Sequence, residues 1–367
     1  MTDSRTSSRS VRVLTEGERT KWDEQVNAHG GHPLQLWGWG QLKANSGNWT
    51  PHRLLVQKPN GDVLGGAQVL LRRLPAPMGS LGFVPRGPFV ERGRQGSAAE
   101  VEQSSQTTLD SDVSVAAART LREKTDAISV IFEPDVPIEQ GFFVDGGKEK
   151  STSILLERTA VLDLSLPSDK LLSQMSKKTR QYIRKGEREG ITVRRVGQAR
   201  VEDGRASLDD TARGEIAQVL DIYRETAERA GFPLHEDSYY LDVAVEMGAA
   251  SQLYAAYMDG QMQAFLWLVS SDTVAFELYG GVTEAGQRSR ANYALKWAAI
   301  TRAQDSGVLR YDLNGLLNDG VSRFKQGFIT EETLLHPGLE VPLRPLKQKA
   351  WAVAIPSVRA AIRRLRA

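Results

Sequence analysis

The order of helix and strand patterns in the second half of the chain constrains the fold more than any other feature of the sequence. Apolar residues recur there either at helical spacing or in short runs typical of strands. In chain order the pattern predicts a helix at 216–230, strands at 253–258, 264–269 and 273–278, a helix at 291–306 and a strand at 309–312. Asp259-Gly260 between the first two strands is a typical hairpin turn, and we expect the three successive strands to be antiparallel.

This order resembles the GNAT (acetyltransferase-like) α/β topology. The first half of the chain alternates similarly. It predicts a helix near 16–28, strands at 52–57 and 63–71 around the turn Asn60-Gly61, a helix at 115–125 and a strand at 127–132. A length of 367 residues suggests two domains at roughly 150 residues each. We therefore predict an α/β (α+β) protein with two copies of one architecture, although no repeat is visible at residue level.

Four segments fall outside this alternation. Residues 1–10 are polar and predict a disordered tail, not a signal peptide. Residues 78–90 are rich in Gly and Pro and predict a rigid extended loop. The polar segment 93–114 is expected to be a solvated insertion leading into a helix, and 198–213, with few apolar residues, a mobile loop.

Composition excludes several kinds of chemistry. The chain has no cysteine, which rules out disulfides, thiolate nucleophiles and cysteine-based metal sites. Its five histidines are scattered without metal-ligand spacing, so we expect no metal. No apolar run approaches the roughly 18 residues of a membrane span. A cytoplasmic protein, mostly monomeric, is the expectation.

Two stretches concentrate positive charge. The predicted helix 175–189 carries six Lys or Arg against two Glu, and Lys177, Arg180, Arg184 and Arg188 share one face. Such a face can hold polyphosphate or an RNA backbone, the alternative being a solvated helix with nothing bound. From Val341 onward there are seven Lys or Arg, no acid and one tryptophan. That pattern is compatible with contact to an anionic membrane surface or with a helix packed on the first domain.

Two further segments suggest ligand contacts. In 36–43, Trp37 and Trp39, separated by a glycine, could floor a groove from which Lys43 reaches a phosphate. The alternative is that tryptophans near the start of a domain anchor its core, and we expect this of Trp37. The turn 280–290 precedes a helix, where backbone amides can hold an anion, but it lacks the glycine-rich signature for the pyrophosphate of coenzyme A. Arg288 and Arg290 could hold a different anion there, although exposed loop arginines are the simpler explanation.

The segment 311–328 contains the strongest candidate for catalysis. Asp312 ends a predicted strand, and Lys325 follows Phe324 at what we expect to be the edge of a sheet. A lysine among aromatic residues is costly to desolvate unless an anion or a developing oxyanion compensates its charge. The alternative is an exposed lysine whose stem covers Phe324, and the local pattern does not decide between them.

Together these segments resemble the Fem family (FemA/FemX-like) of peptidoglycan bridge-forming aminoacyltransferases, from about residue 34 to residue 328. The motifs, in family order, are Leu34-Gln-Leu-Trp-Gly-Trp-Gly-Gln-Leu-Lys43, Gly82-Phe-Val-Pro-Arg-Gly-Pro88, Ile131-Phe-Glu-Pro134, Ser176-Lys-Lys-Thr-Arg-Gln-Tyr-Ile-Arg-Lys185, the Gly280 turn with the helix after it, Tyr311-Asp-Leu-Asn-Gly315 and Phe324-Lys-Gln-Gly-Phe328. The segment 165–229 is too short for the coiled-coil arm of some members, which indicates an armless form. The two polar insertions have no counterpart in the family that we can place.

The resemblance implies two GNAT-like domains with a cleft between them. We expect the first to span 11–158 plus 340–367 and the second 159–339. It also implies transfer of an aminoacyl group from aminoacyl-tRNA to an amine of the peptidoglycan stem peptide, on lipid II or UDP-MurNAc-pentapeptide. No cofactor is implied beyond the tRNA co-substrate. Peripheral contact with the inner face of the cell membrane would involve the basic C-terminus.

The same resemblance implies roles for Lys43, Lys325 and Glu133. Lys43 would help hold the diphosphate of the precursor, and Lys325 would lie near the terminal phosphates of the tRNA and the reacting ester. Glu133 is the first candidate for proton acceptor and Asp312 the second. The substrate-binding candidates are Trp39, Lys43, Arg86, Arg180, Arg184, Arg288 and Arg290. Two rival functions remain: an acyl-coenzyme A N-acetyltransferase, and a non-catalytic tRNA- or membrane-binding protein.

Overall fold

A computed structural model describes residues 9–91, 99–150, 153–202, 205–317 and 319–354. The predicted tail therefore lies largely outside the described residues, as does the C-terminal stretch 355–367 with its last four arginines. Within the described residues no helix has the length and apolarity needed to cross a bilayer, and no cluster of side chains has the makeup of a metal site.

The helices are, in chain order, α1 (Arg19–Ala28), α2 (Trp37–Asn45), α3 (Ala99–Lys124), α4 (Ser168–Gln174), α5 (Lys177–Arg188), α6 (Asp210–Ala230), α7 (Asp237–Met247), α8 (Glu284–Ser289), α9 (Ala291–Asp305) and α10 (Gly320–Gln326). The strands are β1 (Ser10–Val13), β2 (Trp49–Gln57), β3 (Val63–Arg73), β4 (Ser80–Pro85), β5 (Phe89–Val90), β6 (Ala127–Glu133), β7 (Lys148–Glu149), β8 (Arg158–Thr159), β9 (Val161–Asp163), β10 (Thr192–Val196), β11 (Arg200–Glu202), β12 (Arg205–Ser207), β13 (Ser251–Met258), β14 (Gln261–Ser270), β15 (Val274–Val282), β16 (Arg310–Asp312), β17 (Thr333–Leu334) and β18 (Leu339–Pro342). Residues 345–354 are also helical.

The first of two compact units comprises Met1–His29, Gly47–Ile154 and His336–Ala367. Its main sheet has the order β1-β2-β3-β4-β6-β18-β7. Strands β4 and β6 are parallel, and the neighbouring pairs are antiparallel. Apolar side chains from β3, β6 and β18 form the core together with those of α3, because one face of each element is apolar.

The second unit comprises Gly30–Ser46 and Leu155–Leu335. Its sheet has the order β10-β13-β14-β15-β16-β9, in which only the β15–β16 pair is parallel among the described pairs. Helix α9 contributes Leu295, Ala299 and Ile300 to the core, where they meet Leu268 of β14 and Tyr311 of β16. A β-bulge in β15 leaves Leu278 unpaired between Glu277 and Tyr279.

The two sheets share one topology. In the first unit the antiparallel strands β2-β3-β4 are followed by α3 and the parallel strand β6; in the second, β13-β14-β15 are followed by α9 and the parallel strand β16. The outer strands correspond too, since β1 and β18 flank the first set as β10 and β9 flank the second. The prediction of an α/β fold with one architecture in both halves is confirmed.

Three predictions of irregular structure were wrong. Residues 80–85 form β4, where Gly82 serves packing, because a Cβ there would lie 3.1 Å from Val130. Much of the supposed insertion 93–114 belongs to α3, which buries Val113, Ala117 and Leu121 at one-turn spacing. The supposed mobile loop 198–213 contains the hairpin β11–β12 and the start of α6.

The observed units also differ from the expected division in one place. Their boundaries near 155 and 335 lie close to those expected, but residues 30–46 pack with the second unit, whereas we assigned them to the first. Helix α2 approaches α7 so closely that a Cβ on Gly38 would lie 2.1 Å from the carbonyl oxygen of Glu246. Glycine at position 38 therefore permits a contact between helix backbones that apolar periodicity does not reveal.

Candidate functional site

The second unit contains a cavity of about 760 Å³ at the point where β15 and β16 part. The two strands pair only from Val274–Arg310 to Phe276–Asp312, after which β15 stays paired with β14 alone. The walls of the cavity come from β15, α6, α8, α9 and α10. The lining residues that carry polar or aromatic groups are Tyr223, Thr226, Arg229, Phe232, Glu277, Tyr279, Gln287, Arg290, Asn292, Tyr293, Lys296, Asn314, Asp319, Phe324 and Lys325.

A buried ion pair forms part of this wall. The Lys296 ammonium of α9 lies 2.6 Å from each carboxylate oxygen of Glu277 on β15, and both side chains are almost fully buried. The Tyr311 hydroxyl donates to the same carboxylate at 2.9 Å. Burial, followed by the charge of Glu277, raises the pKa of Tyr311 well above its usual value, so this hydroxyl keeps its proton. Such a pair costs desolvation energy and is retained here beside a cavity.

Lys325 is fixed in the same cavity wall by the turn after β16. Its ammonium donates to the carbonyl oxygens of Gly315 at 3.0 Å and Asn314 at 3.4 Å. Asn314 has a left-handed backbone with φ of 64°, and its side-chain amide donates to the Glu277 carbonyl at 2.9 Å. Burial lowers the pKa of Lys325; Glu277 acts against that shift and Lys296 reinforces it. Lys325 lies on α10, not at the edge of a sheet as we expected.

At another part of the cavity, two buried polar atoms have no hydrogen-bond partner among the described residues: Nε of Arg290 and Oδ1 of Asn292. The Arg290 guanidinium lies over the ring of Tyr182 at 4.1 Å. Buried polar groups are normally satisfied. The arrangement therefore offers one donor and one acceptor to a polar ligand.

An aromatic cluster connects the cavity wall to Lys43. Tyr279 lines the cavity, and burial, followed by the proximity of the Tyr239 hydroxyl, raises the pKa of Tyr279 well above its usual value. Tyr239 accepts a hydrogen bond of 2.7 Å from the Lys43 ammonium. That ammonium also lies 4.4 Å from the ring of Trp39, which is 7% exposed. Trp39 and Lys43 are thus placed together on α2.

His235 lies beside Lys43 and Tyr239. Its ring stacks on Tyr239 with centroids 4.1 Å apart, and burial, then the nearby charge of Lys43, lowers its pKa. A histidine of lowered pKa is neutral at pH 7. Lys43 is therefore the cation here, and His235 adds charge only under acidic conditions.

The two candidate proton acceptors have structural partners. The Asp312 carboxylate accepts from the Thr159 hydroxyl and, at 2.7 Å, from the backbone N–H of Asn314, and it is not among the described residues that line the cavity. Glu133, in the first unit, is 3% exposed and accepts from the backbone N–H of Ile154. These contacts favour structural roles for both carboxylates, and a catalytic role for either stays a prediction.

The remaining arginine candidates differ in availability. Arg180 donates to the carbonyls of Ser173 and Met175, which end α4, and Arg288 forms an exposed ion pair of 3.7 Å with Glu284. Arg86 lies between β4 and β5 in the first unit and is 3% exposed with φ of 50°. Arg184 is exposed on α5. Of the arginines predicted to bind substrate, only Arg290 lines the cavity.

The cavity also contains residues that the sequence interpretation missed. Glu277 and Lys296 each interrupt an apolar run, in Phe276-Glu277-Leu278 and Leu295-Lys296-Trp297. A charge inside a segment expected to be buried is the signal that could have identified them. Asn314 was visible only as part of a turn, and Tyr279 lay just beyond the predicted strand 273–278 and was not singled out.

Comparisons with known proteins agree with this architecture. The model of the acetyltransferase (GNAT) domain matches residues 175–326, which lie in the second unit, while comparison with curated proteins found no match. A crystal structure of FemX is similar over 92% of this chain and 99% of its own, with a TM-score of 0.74 and 18% identity. The C-terminal domain of a putative lysylphosphatidylglycerol synthetase from Agrobacterium fabrum is similar over 90% of this chain and 93% of its own, with a TM-score of 0.53 and 12% identity. The resemblance stated from the sequence is thus confirmed: the chain has a GNAT-type acyltransferase fold, in the arrangement of elements found in FemX.

Proposed function

We propose that the protein transfers an aminoacyl group from aminoacyl-tRNA to an amine of the peptidoglycan stem peptide, carried by lipid II or UDP-MurNAc-pentapeptide. The observation that carries the proposal is Lys325, a partly desolvated cation fixed by two carbonyls in the wall of a cavity, in a chain with the fold of FemX. The cavity has the volume and the aromatic walls to receive the ester end of the donor.

The reaction needs no cofactor. The amine nitrogen attacks the ester carbonyl carbon, the carbon–oxygen bond to the terminal ribose breaks, and an amide forms. One proton leaves the attacking nitrogen and one reaches the departing ribose oxygen. Lys325 stabilises the negative charge that develops on oxygen, and binding both reactants in one geometry supplies up to roughly 7–11 kcal/mol of the barrier reduction.

Lys43 supports the acceptor side of the proposal. It is a cation held by a tyrosine hydroxyl and a tryptophan face, which suits contact with a diphosphate. Both UDP-MurNAc-pentapeptide and lipid II contain that group. Lys43→Met is expected to raise the KM for the acceptor about tenfold with little change in kcat, because this contact exists before and during the reaction.

The described part of the C-terminal helix suggests where the protein touches a membrane. Arg344 donates to the carbonyls of Ala127 and Thr125, so it is committed to the first unit. Leu346 and Val353, seven residues apart on one helical face, are 85% and 79% exposed. This face would lie on the anionic inner surface that carries lipid II, and co-sedimentation of Leu346→Ser with anionic vesicles tests it.

The main rival is an acyl-coenzyme A N-acetyltransferase, which the GNAT match favours. In that mode a helix N-terminus would bind the pyrophosphate. At the start of α8, however, the Thr283 hydroxyl already accepts from the Gly286 N–H, and Glu284 places a carboxylate in the first turn. Both features oppose an anion there. Calorimetry with acetyl-coenzyme A distinguishes the two functions, since our proposal expects no binding.

The direct test combines purified protein, lipid II or UDP-MurNAc-pentapeptide, and a pool of labelled aminoacyl-tRNA, with mass analysis of the product. We expect a mass increase of one aminoacyl residue. Lys325→Met should lower kcat/KM at least about a hundredfold, in line with loss of a charge that stabilises the transition state. Arg323→Met, which removes a charge from an exposed position of the same helix outside the cavity, is the matched control. Equal rates in the two variants would contradict the role of Lys325.

A further inference from the structure

Helix α5 carries six cations, and the structure divides them into two groups. Arg180 is bound to carbonyls at the end of α4, the Lys185 ammonium donates to the carbonyl of Arg288, and Lys178 lies 5.6 Å from the ring of Tyr182. Lys177, Arg184 and Arg188 are exposed and form no hydrogen bond or ion pair with the described residues. Three cations of this helix are therefore free to bind a ligand.

The three free cations form a straight stripe. At about 100° per residue, Arg184 and Arg188 lie within about 20° of Lys177 around the helix axis. The stripe is about 16 Å long at 1.5 Å per residue. On the same scale Glu187 lies about 80° away from it and Glu189 farther, so neither carboxylate interrupts it. We call these three residues the α5 stripe.

The chemistry of the α5 stripe matches a nucleic acid backbone better than a membrane. The apolar face of α5, with Ile183 and Gly186, is buried, and a Cβ on Gly186 would lie 2.7 Å from Ala294 of α9. A helix that lies in a membrane interface must present an apolar face to the lipid, and α5 has none left to present. A duplex carries one negative charge per about 1.7 Å of its axis, so the length of the stripe faces several phosphates.

We propose that the α5 stripe binds the phosphate backbone of a double-helical RNA segment, the part of the donor that adjoins its aminoacylated single-stranded end. This inference rests on the proposed function and extends it from the reacting ester to the body of the donor. The contacts are to phosphates, so they orient the duplex without reading its sequence. Direct binding of the stripe to RNA does not require that any transfer takes place.

The test uses the variant Lys177→Gln/Arg184→Gln/Arg188→Gln in the full chain and two donors, an aminoacyl-tRNA and an aminoacylated trinucleotide that ends in CCA and lacks a duplex. We expect the KM for the tRNA to rise about tenfold or more while the KM for the trinucleotide stays within about twofold, because only the tRNA reaches the stripe. The slope of log Kd for uncharged tRNA against log salt should fall by about three, one for each lost phosphate contact.

A second triple variant, Lys21→Gln/Arg119→Gln/Lys124→Gln, removes the same charge from exposed positions of the first unit. An equal effect of this control, or an equal effect of the stripe variant on both donors, would overturn the proposal. Loss of binding to anionic vesicles with unchanged tRNA affinity would also overturn it and identify a membrane surface. If the native protein transfers to no acceptor, the proposed function fails, whereas the tRNA binding curves still decide the role of the stripe.

Discussion

The parallel strand pairs of the two units differ in one respect that matters for chemistry. In the first unit β4 and β6 stay paired from Ser80–Ala127 to Pro85–Glu133, at six residue pairs with one register shift after Ser80. In the second unit β15 and β16 pair at three positions and then part. The same topology thus yields a closed sheet in one unit and an open wedge in the other.

Where β15 and β16 part, peptide groups and side chains lose the pairing or the cover that a closed sheet would have given them. The Glu277 carbonyl of β15 is satisfied by the side chain of Asn314 where the closed pair would supply a backbone N–H. The bulge at Leu278 bends the strand and changes the direction of its side chains at this point, as bulges beside active sites commonly do. A sheet that stops pairing early therefore creates a lined cavity at the cost of substitute hydrogen bonds.

The polar groups buried in the two units differ as well. In the first unit Arg53 and Gln68 face each other across β2 and β3, where the guanidinium donates to the amide oxygen at 2.9 Å. In the second unit Glu277 and Lys296 are both charged and border the cavity. One pair lies within a continuous sheet, and the other supports a site.

The largest effect is expected from breaking the ion pair between Glu277 and Lys296. Glu277→Leu leaves the buried Lys296 without its carboxylate partner and should lower the free energy of unfolding by about 3–5 kcal/mol. The double variant Glu277→Leu/Lys296→Met replaces the pair by apolar groups and should recover most of that loss, because no buried charge remains. Urea unfolding curves measure both. If the double variant is as unstable as the single one, the pair contributes to stability, contrary to our view that it is retained for the site.

Filling the wedge should slow transfer strongly without unfolding the unit. Gly280 lines the cavity, and a Cβ there would make only ordinary contacts, 3.5 Å from Leu266 and 3.6 Å from the Phe265 carbonyl. We expect Gly280→Val to lower kcat/KM about a hundredfold, since the added side chain occupies space needed by the donor. Circular dichroism should be unchanged. Gly17→Val, at an open position of the first unit, is the control, and equal activity of the two variants would argue against the cavity as the donor site.

The pH dependence of kcat tests the protonation state of Lys325. Burial lowers its pKa, so the charged form that the mechanism uses is lost as pH rises through a value below the usual 10.5. We expect an alkaline decline in kcat, provided that the ammonium is required. Lys325→Arg, which stays protonated at every accessible pH, should remove that decline even if its maximal rate is lower. A decline of the same midpoint in this variant would assign it to another group.

The smallest effect is expected in the first unit, at the end of the closed strand pair β4–β6. Glu133→Gln keeps an oxygen that can accept the hydrogen bond from Ile154 and should change kcat by less than about threefold, if the carboxylate holds structure only. A rate loss of a hundredfold or more would restore Glu133 as the proton acceptor, in the range that general base catalysis supplies. The same steady-state assay measures either outcome.

Much of the fold could be predicted from sequence, because apolar period and turn residues act locally. The strands β13, β14 and β15 and the turn at Asp259-Gly260 were found in this way. Helix α10 was missed although Asp319, which accepts from the Ser322 N–H at 2.8 Å, is a typical N-cap. The apolar residues Phe324 and Phe328 around Lys325 were taken to indicate a sheet edge instead.

The site was harder to predict because its residues meet through tertiary structure. Lys325 was identified by its aromatic neighbours and by family resemblance, but Glu277 and Lys296 are 19 residues apart and share no motif. Tyr239 and Lys43 are still farther apart, and they meet only because Gly38 lets two helices touch. The early parting of β15 and β16 leaves no local signature in the sequence, so the cavity itself could not be predicted.

Strand β18 has a consequence for how the chain is made. It pairs with β6 at Leu339–Phe132 and onward, across some two hundred intervening residues. A ribosome releases residues 155–335 before it releases β18, so the nascent first unit exposes an unpaired β6 edge throughout that interval. Exposed edges recruit other strands. We therefore expect synthesis stalled before residue 339 to yield an aggregation-prone nascent chain. Once β18 is synthesised, it pairs with β6 and covers that edge.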